Sequence, residues 1–517
     1  MNQNEQTRAT EQITGRARDP FDDVDVIIIG TGFSGLGMAT QLARKKQTSF
    51  VVLERAEDVG GTWRENTYPG AACDIQSHLY SYSFRPNPDW SRIYATQPEI
   101  LAYLQAVARE EELLPHIRFG AEVLDARWEE STGRWIVSTP RGTYSGKALI
   151  TASGHLSDPK MPDIDGLGNF EGKVFHTAHW DHEVELKGKR IGVIGSGASA
   201  IQVVPELTTI AEQLTVFQRS APHIIPRADR TYSDTERGMF RKVPETAQAL
   251  RDDLFWGNEA RFPQRRGMPD FINQISTIAE NHRKAQVSDP ELRRKLTPNY
   301  AIGCKRILIS NDYYPALSRP NVSLETDRIS HVDADAVVTE SGARHELDVL
   351  VLGTGFEASD LPISYRVFGK AGISLAERWS GGAQAYACTT VNGFPNLFVM
   401  LGPNTGLGAG SIIYMVETQI GYITEALDYM REHDVSSLEV SREAEEEYAH
   451  SLDERSQGTV WLSGGCQSWY IDPRNGRLTT LWPDFMSQFR KENGTFQPDA
   501  YEMESASKGD RLMAIAH

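Results

Sequence analysis

The chain has 517 residues, 40% of them hydrophobic and 24% charged, with a formal net charge of −17. That length suits about three domains, and the composition suits globular cores in water. The acidic balance argues against a nucleic-acid partner, whose phosphates need Lys and Arg to neutralise them, but it leaves room for a small anionic ligand on a local basic patch.

Four cysteines, Cys73, Cys304, Cys388 and Cys466, are widely scattered and form no C-x-x-C pair. Neither a zinc ribbon nor a thiol–disulfide centre is expected, and so low a count points to a reducing compartment. Residues 1–20 are polar and read as a disordered tail, not a signal peptide. No apolar run reaches the roughly 18 residues of a membrane span. The expectation is a cytoplasmic protein with no membrane partner.

The first element is a continuous apolar run, Val24–Ile29, typical of a strand buried on both faces of a parallel sheet. Gly30, Gly32 and Gly35 follow as G-x-G-x-x-G, then a helical pattern carrying Leu36, Ala39 and Leu42. The first glycine allows the tight turn, the second lets backbone approach a diphosphate, and the third allows helix and strand to pack closely. A second apolar strand, Phe50–Leu53, ends on Glu54, where a ribose-binding acid belongs. The stretch Val59–Phe84 holds Gly60, Gly61, Thr62, Trp63 and Asp74; a backbone bending this often can lie against a flat ring system. Asp74 stands among apolar and aromatic residues and, if buried, needs a partner. Residues 97–114 have helical spacing, and 121–138 with 143–150 read as hairpin strands. A first FAD-binding segment is expected over 21–160.

Phe170, Gly172, His176, Trp180 and Asp181 then occur as F-x-G-x-x-x-H-x-x-x-W-D, a spacing that no helix or strand period requires. Lying between two cradles, the stretch is expected to be a joint between nucleotide domains more than a reaction centre. In the second cradle the strand Ile191–Ile194 leads to Gly195, Gly197 and, at the third position, Ala200, whose methyl is expected to move helix and strand slightly apart. Arg219 occupies the place corresponding to Glu54, with the sign reversed. A cation there suits the 2′-phosphate of NADP, with Arg227 and Lys305 expected to add to the pocket. An acidic site for FAD and a basic one for NADPH imply hydride transfer from nicotinamide to flavin. The expected fold is α/β, with two dinucleotide-binding, Rossmann-like domains. The NADPH domain would take 161–228 and 301–350, split by a helical insertion at 229–300 whose Leu250, Leu254, Trp256, Ile272, Ile275 and Ile278 are expected in a core. Residues 351–517 would return to FAD.

These stretches together resemble the class B flavoprotein monooxygenases, and FEGKVFHTAHWD resembles the Baeyer–Villiger monooxygenase fingerprint. The resemblance extends to CKR at Cys304–Arg306, DVLVLGTGF, GFPNLFVMLGP and GCQSWY at Gly465–Tyr470. It implies that NADPH reduces FAD and that O2 adds to give a C4a-peroxyflavin. This inserts one oxygen beside the carbonyl of a small apolar ketone, yielding an ester or lactone. Arg306 would supply the fixed positive charge, Asp74 would be its carboxylate partner, Lys305 would face the 2′-phosphate and Trp469 the nicotinamide ribose. The alternative is a sulfur or nitrogen monooxygenase of the same class. A flavin disulfide reductase would need a cysteine pair near the flavin, and none is expected. The chain departs from a common subgroup at Ala409, Gly410 and Ser411, where related sequences often carry a His; small side chains there are expected to widen the pocket.

Overall fold

The computed structural model describes residues 23–505, so the expected disordered tail at 1–20 lies outside the described residues. The strand Asp23–Ile29 runs through an eight-stranded sheet, paired in parallel with Phe50–Leu53 on one side and Gly142–Thr151 on the other. Val26, Ile27 and Ile28 are all fully buried, which is why the strand shows no polar alternation. Asp125–Glu129, Arg134–Thr139 and Gly142–Thr151 form an antiparallel meander at its flank.

A second sheet has five parallel strands in the order Val322–Glu325, Gln213–Phe217, Arg190–Ile194, Val349–Leu352 and Lys173–His176. The two sheets repeat one plan. Ile29 sits in register with Leu53 and Thr151, while Ile194 sits in register with Phe217 and Leu352.

The chain leaves the first sheet after Thr151, enters the second at Lys173, and returns from Leu352 to the first at Val367. These two crossings are bonded to each other. Lys160 N donates to Gly355 O at 2.8 Å and Glu357 N to Asp158 O at 2.9 Å, around an antiparallel bridge between Pro159 and Phe356.

The stretch 229–300 is helical, with Asp234–Lys242, Pro244–Glu259 and Pro269–Gln286 as its longest helices. Ser233 and Glu236 form a reciprocal capping box that starts the first of them. The expectation that its apolar residues are core holds for Ile275 but not for Trp256 and Ile278, which are 62% and 41% exposed. Phe255, and not its neighbour Trp256, turns inward to Tyr414, with ring centroids 4.8 Å apart. Successive helical residues point about 100° apart, so only one of the pair can face inward. Among the described residues no helix is long and apolar enough to cross a membrane.

Candidate active site

A cavity of about 2440 Å³ lies at the carboxyl ends of both sheets and is lined by residues of both glycine turns. In open α/β sheets this end of the strands is where nucleotides bind. In the first turn Gly30 has φ +103°, and a Cβ there would lie 2.7 Å from the Ala152 carbonyl oxygen; a Cβ on Gly35 would collide with the Gly30 carbonyl. The helix Phe33–Lys45 begins at Gly32 with no side-chain cap. Its first N–H groups are therefore left for an anion, which is the fit a diphosphate requires. Glu54 is buried at the strand end: Oε2 accepts from Thr31 N at 3.0 Å and Thr31 Oγ1 at 2.6 Å, and Oε1 accepts from Ala56 N at 2.9 Å. Thr62 and Trp63 also line the cavity; Thr62 Oγ1 donates to Leu156 O at 3.3 Å and the Trp63 indole to Tyr80 Oη at 3.2 Å.

The second turn repeats the first with one exchange. Gly195 has φ +123°, and a Cβ there would collide with the Gly353 carbonyl; the helix Ala198–Leu207 starts at Gly197, again with no side-chain cap. Where the first turn sets Gly35 against Ala152, the second sets Ala200 against Gly353. A Cβ at Gly35 would strike its own turn's first carbonyl, whereas Ala200 carries one, so the helix of the second turn stands further from its turn, as the alanine predicts.

Arg219 is exposed on the cavity wall and makes no ion pair among the described residues. Lys305 donates to Ser220 Oγ at 3.0 Å, and its pKa is lowered by burial and then by the charge of Arg219. Two cations thus repel each other with no carboxylate between them, an arrangement that a phosphate dianion would relieve. Arg227 lies elsewhere. It sits 3.6 Å from Asp229 and donates to Cys73 O at 3.4 Å, drawn away from the expected pocket by that carboxylate.

Arg306 and Asp74 meet as a bidentate pair, Nε to Oδ2 at 2.6 Å and Nη2 to Oδ1 at 2.7 Å, across 232 residues of sequence. Arg306 Nη1 also donates to Leu407 O at 3.4 Å. Their side chains are 31% and 28% exposed, and both residues line the cavity. Burial alone would push the Asp74 carboxyl up, but the Arg306 guanidinium outweighs it and holds the carboxyl below its usual range. Burial would likewise lower the guanidinium, and Asp74 more than reverses that. Both groups stay ionised near neutral pH. Trp469 is 43% exposed at the cavity, with its ring 6.1 Å from that of His155.

None of Phe170, Gly172, His176, Trp180 and Asp181 lines the cavity. Phe170 packs in the core of the second sheet with Val332 and Leu347. A Cβ on Gly172 would lie 2.5 Å from the Asp348 carbonyl and equally close to the Phe170 ring. His176 Nδ1 accepts from Ala178 N at 3.0 Å, its ring meets Phe356 edge-on at 5.9 Å, and burial lowers its pKa to about 4. Trp180 packs edge-on against Phe175 at 4.9 Å, and Asp181 Oδ1 accepts from Glu183 N at 3.0 Å. The stretch therefore braces the edge strand of the second sheet and the paired crossings beside it.

Gly410 has φ +104° and a Cβ there would strike Met486, while Ser411 Oγ accepts from Ile413 N at 3.2 Å and caps the helix Ile412–Glu432. Gly410, which lines the cavity, makes a turn there, and Ser411 makes a cap. Cys304 and Cys466 form a disulfide across 162 residues, leaving Cys73 and Cys388 as buried thiols. The expectation of unpaired cysteines fails because spacing reports only local pairs. The usable signal was that each cysteine belongs to a functional stretch, CKR or GCQSWY.

Residues 23–241 match the model of the flavin-binding monooxygenase-like family. The chain is 47% identical over 476 residues to a Baeyer-Villiger monooxygenase of Streptomyces coelicolor, covering 91% of each, and 45% identical to one of Pseudomonas aeruginosa, covering 92% of this chain and 91% of that one. Among solved structures, cyclohexanone monooxygenase from Rhodococcus sp. Phi1 bound to NADP+ superposes with a TM-score of 0.82 at 31% identity, covering 94% of this chain and 99% of that one. A steroid monooxygenase bound to NADP gives a TM-score of 0.82 at 30% identity, covering 94% and 100%. Two uncapped glycine turns, one closed by an acid and the other by two cations without an ion pair among the described residues, thus coincide with likeness over more than nine-tenths of the chain to flavin- and NADP-using oxygenases. The chain belongs to the Baeyer–Villiger monooxygenases, FAD- and NADPH-dependent flavoenzymes that insert oxygen.

Proposed function

We propose that this enzyme inserts one oxygen atom beside the carbonyl of a small apolar ketone, with Arg306 as the charge-stabilising catalytic residue and Asp74 as its partner. The observation that carries the proposal is the bidentate Arg306–Asp74 pair opening onto the cavity that both glycine turns line. FAD would be held by Gly30, Gly32, Gly35, Glu54, Thr62 and Trp63, and NADPH by Gly195, Gly197, Ala200, Arg219, Lys305 and Trp469. The bound flavin would supply a hydride acceptor for NADPH and a site of O2 activation.

A guanidinium has five N–H donors. Asp74 takes two of Arg306's and Leu407 one, which leaves two for an oxyanion on the cavity side. Arg306 does not deprotonate, so its charge is present throughout turnover. Because Asp74 fixes it beforehand, little reorganisation is needed when negative charge develops. The cavity wall includes the apolar side chains of Leu407, Ile412, Val416, Trp461 and Leu462. This supports an apolar ketone, as do neighbours named for cyclohexanone and steroids. The test is a panel of linear, cyclic and aryl ketones with sulfides alongside, products being identified by mass spectrometry. An ester or lactone is expected; sulfoxides without any ester would overturn the reading.

A further inference from the structure

We propose that the Cys304–Cys466 disulfide is a positioning element for NADPH, fastening the segment that carries Trp469 to the one that carries Lys305 and Arg306. The inference rests on the assignment of Trp469 and Lys305 to the NADPH site. Cys304 is fully buried and immediately precedes Lys305; Cys466 is half-buried, lines the cavity and stands three residues before Trp469.

Residues 465–469 form neither helix nor strand, and among the described residues they make no hydrogen bond to another segment. Their flanks are held by Ala301 N donating to Gly464 O at 2.9 Å and by Thr480 Oγ1 donating to Tyr470 O at 3.0 Å. Between those points the disulfide is the covalent tether. Gly464 lies directly on it, since a Cβ there would be 2.7 Å from Cys304 Cβ and 2.9 Å from Cys304 Sγ. Without the bond, Trp469 would have to be ordered by NADPH itself, and that ordering would be taken from binding.

Opening requires a two-electron reductant, here a dithiol. Its thiolate attacks Cys466 Sγ from the cavity, and Cys304 leaves and takes up a proton. The second reductant thiol then displaces Cys466, which is also protonated, and the reductant ends as a disulfide. Because Cys466 is reached through the nucleotide cavity, bound NADP+ should in turn slow the opening.

The flavin-loaded enzyme is assayed before and after dithiothreitol, beside a Cys304→Ala/Cys466→Ala variant. Alkylation of the unfolded protein should count two thiols before reduction and four after, given the disulfide and the two free cysteines. In anaerobic flavin bleaching, the apparent Kd for NADPH should rise about tenfold in reduced and variant enzyme, with the limiting rate of reduction changed less than about twofold. NADP+ should protect the disulfide, and dithiothreitol should leave the variant's kinetics unchanged. Four thiols before reduction, an unchanged apparent Kd after opening, or a loss of reduction rate as large as the loss of affinity would overturn the proposal. If the variant does not fold, reduction and reoxidation of the wild type decide the matter by the same readouts. Flavin bleaching uses no ketone, so failure of the ketone reading would leave this measurement intact.

Discussion

Replacing Arg306 with alanine should separate oxygen insertion from flavin reduction. The guanidinium is held by Asp74 at 2.6 and 2.7 Å, with 31% of its side chain exposed at the cavity. A unit charge about 4 Å from an oxyanion is worth roughly 4 kcal/mol at an effective dielectric of 20. Partial exposure reduces this to about 3 kcal/mol, or about two decades of rate. Ester formation by Arg306→Ala should therefore fall roughly 100- to 1000-fold, while NADPH still bleaches the flavin at close to the wild-type rate in anaerobic stopped flow. The substitution also strands Asp74, leaving a desolvated carboxylate at a cost of about 1–3 kcal/mol. Adding Asp74→Asn should restore part of that stability without restoring oxygenation. Arg306→Lys, which keeps the charge but loses the planar fork, should fall between wild type and alanine. Ester formation within about tenfold of wild type, or a matching loss of flavin reduction, would refute the charge argument.

Arg219→Ala should raise KM for NADPH about tenfold, the lower end of a charge-assisted contact because the side chain is exposed, and leave KM for NADH unchanged; steady-state kinetics with both cofactors tests this. Gly172→Ala should destabilise the fold by about 1–3 kcal/mol, since the new methyl meets the Asp348 carbonyl and the Phe170 ring at 2.5 Å; denaturant melts measure it, and unchanged stability would show that the fingerprint glycine has another cause. His176 has a folded pKa of about 4, below its ordinary 6.5, because burial disfavours its charged form. The stability it contributes is thus fully present above pH 6.5 and is lost as pH falls through 4. His176→Asn should flatten the stability profile over that window, whereas a profile parallel to wild type would count against a neutral, buried imidazole.

Both nucleotide turns were legible because their chemistry is local: strand, glycines and helix follow one another, and Glu54 and Arg219 lie one and two residues past the end of the next strand. The exchange of Ala200 and Gly353 for Gly35 and Ala152 was not, because it depends on which distant strand crosses the helix. Hydrophobic spacing marked the insertion as helical yet misjudged Trp256, since periodicity cannot tell which of Phe255 and Trp256 turns inward. The Arg306–Asp74 pair spans 232 residues and was reached through family resemblance, not through pattern. The disulfide is equally non-local, and its one signal was that its cysteines sit in two resemblance stretches, CKR and GCQSWY.

The two crossings between the sheets are tied together by Lys160 to Gly355 and Glu357 to Asp158, with the ring of His176 packed against Phe356 at their root. Two separate tethers would make a swivel, free to turn in any direction. A bonded ribbon behaves instead as a leaf hinge: it bends across its flat face and resists twist, because twisting shears its cross-strand bonds. Any swing of the second cradle relative to the first would then be confined to one arc.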